Sequence, residues 1–268
     1  MNTATSALPT RPVSEGARRR DMSEAEWKMR CDLAALYRLA AIHGWGDLLA
    51  THISARVPDA RDQFLINPYG MLFEEITASS LVKVDEHGKV LSETDYIINP
   101  AGFVIHSCIH VARQDVDCVM HLHTRDGTAV ATQAGGLLPA TQHALVIYDQ
   151  VTYHEFEGPA LDPDEQTRLV ADLGDKRIMI LRNHGTLTAG RTVGEAFVLM
   201  YRIERACRMQ IAAQSGGQPL HPLPQSVIDK SVECGRSIFS KSGFGGEGHR
   251  EWAAMLRKLQ REGSDHAR

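Results

Sequence analysis

Few features of this sequence mark a secreted, membrane or nucleic-acid-binding protein, and each absence excludes a class of function. No apolar run approaches the roughly 20 residues that span a bilayer. The first residues also lack the apolar segment of a secretory signal. The formal net charge of −4 provides no basic surface for nucleic acid or anionic lipid. The five cysteines form no Cys-x-x-Cys pair, which is typical of reduced thiols. These absences predict a cytoplasmic protein with neither a nucleic-acid nor a membrane partner.

The remaining composition is that of a folded protein with a core. Of the 268 residues, 43% are hydrophobic and 23% are charged. Residues 1–21 contain little that could be buried, so we expect a disordered leader there. Because no internal repeat or linker is visible, residues 22–268 are predicted to form a single α/β domain with a C-terminal helical extension.

Local patterns predict a mixture of helices and strands. Ser23 and Glu26 have the spacing of a capping box, and the helix that they start should run to about His43 and end at Gly44. Apolar residues at helical spacing predict further helices, and short β-branched apolar runs predict strands. The further helices are expected near 101–112, 128–133, 193–213, 225–238 and 248–261, and the strands near 51–57, 63–66, 81–84, 118–123, 143–153 and 177–181.

Three histidines are candidates for a shared metal ion. His121 and His123 follow an apolar run, and on a strand two residues at this spacing point to the same side. His184 comes just after the apolar run 177–181, at the end of a second predicted strand. Three neutral imidazoles with an open fourth position are typical of a catalytic metal centre. Since the chain has thirteen histidines, the alternative is that these are surface or hydrogen-bonded histidines without a metal.

Several stretches together resemble the class II aldolase/adducin family, in its adducin-head-like bacterial branch. They are LATHISARVP, FLINPYG, EEITASSLVKVD, INPAGFVIHSCIHVAR, CVMHLHT, ILRNHG and GEAFVLMYRIE, within residues 24–215. The resemblance implies an α/β fold of three layers, α/β/α, around a central, mostly antiparallel sheet. It also implies one divalent metal ion per chain, Zn²⁺ or Mn²⁺ with Fe²⁺ as a third candidate, held by His121, His123 and His184. Family members are commonly tetramers, so we expect a homo-oligomer.

Two regions depart from the pattern of the family's sugar-phosphate aldolases. Those enzymes carry a glutamate that shuttles protons at the metal, and its place falls on Gly102, which has no side chain to act as an acid or base. Their phosphate-binding turn and serine pair correspond here to Thr51-His52 and Pro100-Ala101. Because few phosphate donors remain, we expect a small substrate without a phosphate group.

Four other residues are candidates for roles in the site. His143 falls where the aldolases place a proton-donating tyrosine, and it is the candidate catalytic acid because imidazole titrates near neutral pH. His52, Tyr69 and Gly70 are candidate substrate-binding residues, because they correspond to the family's phosphate-side loops. The alternative for each is a structural role as a hydrogen-bonded histidine or a turn residue.

A metal-dependent carbon–carbon lyase fits these departures best, and specifically a decarboxylase of a hydroxylated aromatic, heteroaromatic or oxo acid. Loss of CO₂ leaves an enolate-like anion for the metal ion to stabilise, and it requires one proton to be delivered afterwards. The alternative enzymes are an aldolase acting on a non-phosphorylated hydroxy-oxo acid and a non-haem iron oxygenase. The alternative outside the enzymes is a non-catalytic adducin-like binding module.

Overall fold

The computed structural model describes residue 19, residues 22–158 and residues 163–268. The leader predicted for residues 1–21 therefore lies outside the described residues, apart from residue 19. Seven strands in the described residues form one sheet. They are β1 (His52–Val57), β2 (Ala60–Ile66), β3 (Val82–Asp85), β4 (Cys118–Leu122), β5 (Val151–His154), β6 (Ile178–Leu181) and β7 (Gly185–Gly190).

The strands lie in the order β3-β2-β1-β4-β7-β6-β5 across the sheet. β5 and β6 pair in parallel, and every other pair of neighbours is antiparallel. The helices in the described residues are α1 (Glu24–Ile42), α2 (Pro100–Ala112), α3 (Arg125–Ala131), α4 (Gln142–Leu145), α5 (Pro163–Leu173), α6 (Val193–Ser215), α7 (Gln225–Phe239) and α8 (His249–Arg261).

Helices cover both faces of the sheet. On one face, α1, α6 and α8 pack against alternate strand residues such as Ile53 and Met120. On the other face, α2 and α5 pack against residues of the opposite parity such as Val119 and Leu187. Because both faces are covered, the central strands β1, β4, β7 and β6 are buried at every position, including their polar residues. The predicted three-layer α/β/α fold with a mostly antiparallel sheet is confirmed.

The first helix begins as the sequence predicts, although only half of the capping box forms. The Ser23 hydroxyl accepts a hydrogen bond from the backbone N–H of Glu26 at 3.0 Å. The Glu26 carboxylate does not return to the cap. It accepts hydrogen bonds from Arg30 at 2.9 Å and from Lys83 at 3.0 Å. Glu26 therefore ties α1 to β3, because a buried carboxylate needs a charged partner.

The pairing of β1 with β4 aligns two histidines. In this antiparallel register His52 lies directly opposite His121, and Ser54 lies opposite Val119. Side chains directly opposite each other on paired strands point to the same face. His52, Ser54 and His121 therefore all face the α2 side of the sheet.

The structure adds two elements that the sequence patterns do not predict, and it corrects a third. Neither β7 nor α5 is predicted, because Gly185–Gly190 consists mainly of small residues and Pro163–Leu173 is mainly polar. The strand predicted over 143–153 is wrong for its first part, where α4 and a 3₁₀ turn precede the short β5. The Thr141 hydroxyl accepts a hydrogen bond from the N–H of Ala144 and so caps α4 within this β-branched run.

A search of the helices in residues 22–158 and 163–268 identifies none with the length and apolar character needed to cross a membrane.

Candidate metal centre

The three predicted metal ligands meet at one end of the sheet. His121, near the end of β4, and His123, just beyond it, face the same side, and their Nε2 atoms are 3.1 Å apart. His184 joins them from the turn between β6 and β7. The ring centroids are 4.8 Å apart for His121–His123 and for His121–His184, and 4.7 Å apart for His123–His184. One nitrogen from each ring lies within 4.8 Å of the others, which is a spacing that one ion can bridge.

The outer nitrogens of the strand histidines define their tautomers. His121 Nδ1 lies 3.1 Å from the backbone carbonyl oxygen of Thr186, and His123 Nδ1 lies 3.1 Å from a carboxylate oxygen of Asp47. Both oxygens only accept hydrogen bonds, so each Nδ1 carries the proton and each Nε2 presents a lone pair. Two lone pairs 3.1 Å apart repel each other unless a cation or a proton lies between them. The donor set therefore fits a divalent metal ion, with the outer partners that metal-binding histidines usually have.

The electrostatics favour neutral imidazoles at this site. Burial lowers the pKa of His121 well below its usual value, and the neighbouring His184 and His123 lower it further. Burial, with a smaller contribution from His123, lowers the pKa of His184 to about 4. Rings with such pKa values are uncharged near pH 7, which is the state that binds a metal.

A tight turn brings His184 to the other two histidines. Leu181 of β6 pairs with Gly185 of β7, so the three residues between them form the connection. Asn183 has a φ of 56°, a left-handed conformation that asparagine tolerates better than most residues. A Cβ on Gly185 would lie 2.4 Å from the backbone oxygen of Leu122. Glycine at this position therefore lets β7 approach β4 closely enough to place His184 beside His123.

His52 occupies the space where a side chain at position 102 would project. A Cβ built on Gly102 would lie 2.4 Å from Nδ1 of His52. The ring is 4% exposed, and neither of its nitrogens has a hydrogen-bond partner in the described residues. Burial, with a smaller contribution from His123, lowers its pKa to about 4. His52, a candidate substrate-binding residue, and Gly102, the glycine at the place of the family glutamate, are therefore neighbours. The imidazole of His52 fills the volume that Gly102 leaves open.

Further buried histidines continue from His52 along α2. The Ser54 hydroxyl lies 2.6 Å from Nδ1 of His106 and 2.8 Å from Nε2 of His110. The rings of His52 and His106 meet edge to face, with centroids 6.0 Å apart. His106 and His110 are thus interior hydrogen-bonded residues of a helix.

The other candidate site residues lie outside the histidine cluster. His143 is on α4. Burial lowers its pKa, and the nearby charges of Arg202 and Arg205 on α6 lower it further. Tyr69 is 40% exposed, and its backbone N–H donates to the carbonyl of Ile97. Gly70 has a φ of 107°, so its place in the turn after β2 depends on glycine. No hydrogen bond within residues 22–158 and 163–268 joins these three to the metal-binding histidines.

Asp47 and Thr186 accept hydrogen bonds from the clustered histidines, and sequence reasoning missed both. Asp47 is in the loop between α1 and β1, and nothing in its local pattern connects it with a histidine far along the chain. Thr186 contributes only a backbone carbonyl, which any residue type provides. Its role follows from β7, a strand that the sequence pattern does not predict.

Removal of the Asp47 carboxylate should weaken metal binding without abolishing it. Asp47→Ala leaves Nδ1 of His123 without its acceptor, so the ring loses its fixed orientation. We expect the metal dissociation constant to rise by about 10- to 100-fold, measured by competition with a chromophoric chelator. Asp62→Ala, which removes an exposed carboxylate on β2, should leave the constant unchanged. Equal affinities for the two variants would contradict a supporting role for Asp47.

Comparisons with known proteins agree with this geometry. The family model described as "Class II Aldolase and Adducin N-terminal domain" matches residues 31–211. A *Caulobacter vibrioides* protein, whose name assigns it provisionally to the class 2 aldolases, is 51% identical over 268 residues, with 98% of this chain and 99% of that protein covered.

Two solved structures extend the likeness to the fold. The crystal structure of an aldolase II superfamily protein from *Pseudomonas syringae* superposes with a TM-score of 0.89 at 50% identity, covering 94% of this chain and all of that one. The L-fuculose 1-phosphate aldolase from *Glaciozyma antarctica* superposes with a TM-score of 0.77 at 25% identity, covering 97% and 96%. This chain is therefore similar in sequence and in fold to proteins named as aldolases.

Proposed function

Because the chain belongs to the class II aldolase and adducin family, we propose that it is a divalent-metal-dependent carbon–carbon lyase acting on a small carboxylate without a phosphate group. The observation that carries the proposal is the cluster of His121, His123 and His184. Its two strand histidines have their Nδ1 atoms committed to hydrogen bonds and their Nε2 atoms directed at each other. A binding module would have no need of three converging neutral imidazoles.

The three histidines would hold one Zn²⁺, Mn²⁺ or Fe²⁺ ion, since imidazole suits all three. Such an ion would supply Lewis-acid stabilisation of the negative charge that develops when a carbon–carbon bond breaks. All three ligands are neutral, so the protein would leave the ion's positive charge undiminished. Asp47 would orient His123, and the Thr186 carbonyl would orient His121.

We assign His52 the role of contacting the substrate beside the metal. Its ring lies opposite His121 in the sheet and fills the space above Gly102. Both ring nitrogens are buried without partners, and a substrate carboxylate or hydroxyl would satisfy one of them. A neutral imidazole can donate one hydrogen bond and accept another, so it suits a ligand that carries both groups.

Decarboxylation suits this residue set better than reversible aldol chemistry. In a decarboxylation the bond to the carboxylate carbon breaks, CO₂ leaves, and the electron pair remains on the substrate until one proton is delivered. No residue has to act first as a base and then as an acid, so the reaction does not require a glutamate at the position of Gly102. We further propose that the substrate is a hydroxylated aromatic, heteroaromatic or oxo acid, because a neighbouring hydroxyl or carbonyl and carboxylate can together chelate a metal ion.

The residue at position 100 favours a carboxylate over a sugar phosphate. Pro100 has no N–H to donate to a phosphate oxygen. Tyr69 and Gly70 remain candidates for contacts at the outer side of the substrate, since their turn is exposed.

We assign the proton-donating role to His143 of a neighbouring chain in a homo-oligomer. Within one chain His143 packs with α6, beside Arg202 and Arg205. A second copy, as in a tetramer, would therefore have to bring this imidazole to the metal centre. The arrangement predicts that inactive His143→Ala and His121→Ala chains, mixed into one oligomer, recover part of the activity.

A substrate screen tests the proposal. Purified protein, loaded separately with Zn²⁺, Mn²⁺ and Fe²⁺, is incubated with hydroxybenzoates, hydroxypyridine carboxylates and hydroxy-oxo acids while CO₂, carbonyl products and O₂ are followed. We expect metal-dependent CO₂ release that is lost in His121→Ala. Carbonyl formation without CO₂ would identify the aldolase alternative, and O₂ uptake with Fe²⁺ alone would identify the oxygenase. Protein that binds none of the three ions and turns over no substrate would overturn the lyase proposal in favour of an adducin-like binding module.

A further inference from the structure

A second cavity lies on the opposite face of the sheet from the metal centre. It has a volume of about 440 Å³ and is bounded by the turn after α1, the start of α3 and one side of α6. α6 packs on the same sheet face as Met120, whereas His121, the next residue, points to the other face. The two sites are therefore separated by the sheet.

One wall of the cavity is aromatic. The rings of His43 and Trp45 are stacked, with centroids 4.6 Å apart and an interplanar angle of 20°. Tyr201 meets His43 edge to face at 5.7 Å. Nε2 of His43 is buried without a hydrogen-bond partner in the described residues. Trp45 is 8% exposed, whereas His43 and Tyr201 are partly buried, so the accessible rings of this wall are those of His43 and Tyr201, and Trp45 packs behind His43.

The mouth of the cavity is positively charged. Arg205 and Arg208 lie three residues apart on α6, on neighbouring positions of one helix side. Both are exposed, and neither forms an ion pair with a carboxylate in the part of the chain that the structure describes. Arg125 also lines the cavity, although Asp126 neutralises it through an ion pair at 3.0 Å. Two guanidinium groups therefore remain available to an anion.

The inner end of the cavity carries a carboxyl group, that of Glu204. This side chain is 7% exposed and accepts a hydrogen bond from the Thr186 hydroxyl at 3.3 Å. Burial raises its pKa to about 7, so the group is partly protonated near neutral pH. Its negative charge therefore offsets the arginines only in part.

We propose that this cavity is a second small-molecule site, which binds a planar aromatic carboxylate. The ring would stack on His43, which Trp45 backs from inside the protein, and the carboxylate would bind Arg205 and Arg208. Guanidinium groups match carboxylates through paired charge-assisted hydrogen bonds, and ring stacking adds to the burial of apolar surface. The cavity volume lies within the range usual for small-ligand sites. The proposal of this site does not rest on the proposed lyase function, although Arg205 also lies near His143.

Titration calorimetry with 2-naphthoate tests the proposal on the full-length protein. We expect one binding event per chain, weakened about tenfold or more in Arg205→Ala/Arg208→Ala because charge-assisted contacts are lost. Arg202→Ala, on the same helix but outside the cavity lining, should bind as the wild type does. The uncharged 2-naphthamide should bind at least about tenfold more weakly than the acid.

Four outcomes would overturn the second site. Unchanged affinity in the double arginine variant would show that the carboxylate does not use this cavity, as would the absence of any binding to the wild-type protein. Loss of binding in His121→Ala/His184→Ala would show that the ligand sits at the metal centre instead. Inorganic phosphate that competes as strongly as 2-naphthoate would indicate a general anion site without recognition of the ring. Binding that is retained in His121→Ala/His184→Ala would support the second site whether or not the lyase proposal is correct.

Discussion

Replacement of His121 by alanine is expected to abolish stoichiometric metal binding. The wild-type protein, purified in the presence of Zn²⁺, Mn²⁺ or Fe²⁺, should contain about one ion per chain, and the variant less than about a tenth of that, because two imidazoles alone form an incomplete site. Elemental analysis by mass spectrometry measures the difference. His184→Ala should give the same result, since its ring is as near to His121 as that of His123 is.

A thermal shift provides a second measurement of the same loss. An ion that binds only the folded protein stabilises it by about 2.7 kcal/mol at a concentration one hundred times its dissociation constant. The wild-type melting temperature should therefore rise when the ion is added, and that of His121→Ala should not. His87→Ala, which removes a histidine 82% exposed at its side chain, should behave as the wild type does. Full metal content in both His121→Ala and His184→Ala would show that the ion binds elsewhere.

The strands that carry the site were predictable because their signals are local. β4 and β6 are short apolar runs and β1 alternates polar and apolar residues. The two-residue period places His121 and His123 on one side without any knowledge of the fold. In the structure the same period holds for His52 and Ser54, which lie opposite His121 and Val119 on one face of the sheet. The spacing could not show which strand lies beside which, because strand neighbours are set by the whole topology. The alignment of His52 with His121 therefore emerges only from the structure.

The sequence does not predict strand β7, and it therefore could not show how His184 is brought next to the other two histidines. The sequence of β7, GTLTAG, has few apolar residues, although all six are buried. Small residues suit the place because neighbouring backbones are close. A Cβ on Gly190 would lie 2.4 Å from the backbone nitrogen of Ala196, much as Gly185 is restricted by Leu122. Strands are usually recognised in a sequence by their β-branched or aromatic residues. A strand made mainly of small residues, such as β7, does not show this pattern.

At the short helix α4 the error has the opposite direction, because the sequence predicts a strand where the structure has a helix. The sequence from Ala144 to Tyr148 has the composition of a strand, but the hydroxyl of Thr141 caps a turn of helix there. A single side-chain hydrogen bond competes successfully with β propensity, which depends strongly on context. The position of His143 beside α6 follows from this turn. Its assignment to the metal centre rests on the family resemblance.

Gly102 and His52 show what the structure adds to a departure noticed in the sequence. Taken alone, a glycine in place of a catalytic glutamate indicates loss of the proton transfer that the glutamate performs. In the fold, the glycine is required because the His52 ring lies against its backbone. The polar side chain beside this position is therefore the His52 imidazole, which enters the space from β1.

Gly102→Ala is accordingly expected to lower the proposed lyase activity strongly while leaving the metal content unchanged. The new methyl group would lie 2.4 Å from Nδ1 of His52, so the ring must move. Displacement of a group that positions the substrate by about 1 Å can lower the rate on the order of 10²-fold. The measurement is kcat/KM for the carboxylate found in the screen, with metal analysis of the same sample. Gly46→Ala is the matched control, because a Cβ there has 3.9 Å to its nearest neighbour.

A double-mutant cycle separates displacement of His52 from general damage to α2. His52→Ala should lower kcat/KM about as much as Gly102→Ala does, on the order of 10²-fold. In the double variant the methyl group has no ring to strike, so the combined loss should equal that of His52→Ala alone rather than the product of the two. Multiplicative losses would mean that Gly102 acts through the helix and not through the imidazole. Full activity of His52→Ala would remove this residue from the proposed site.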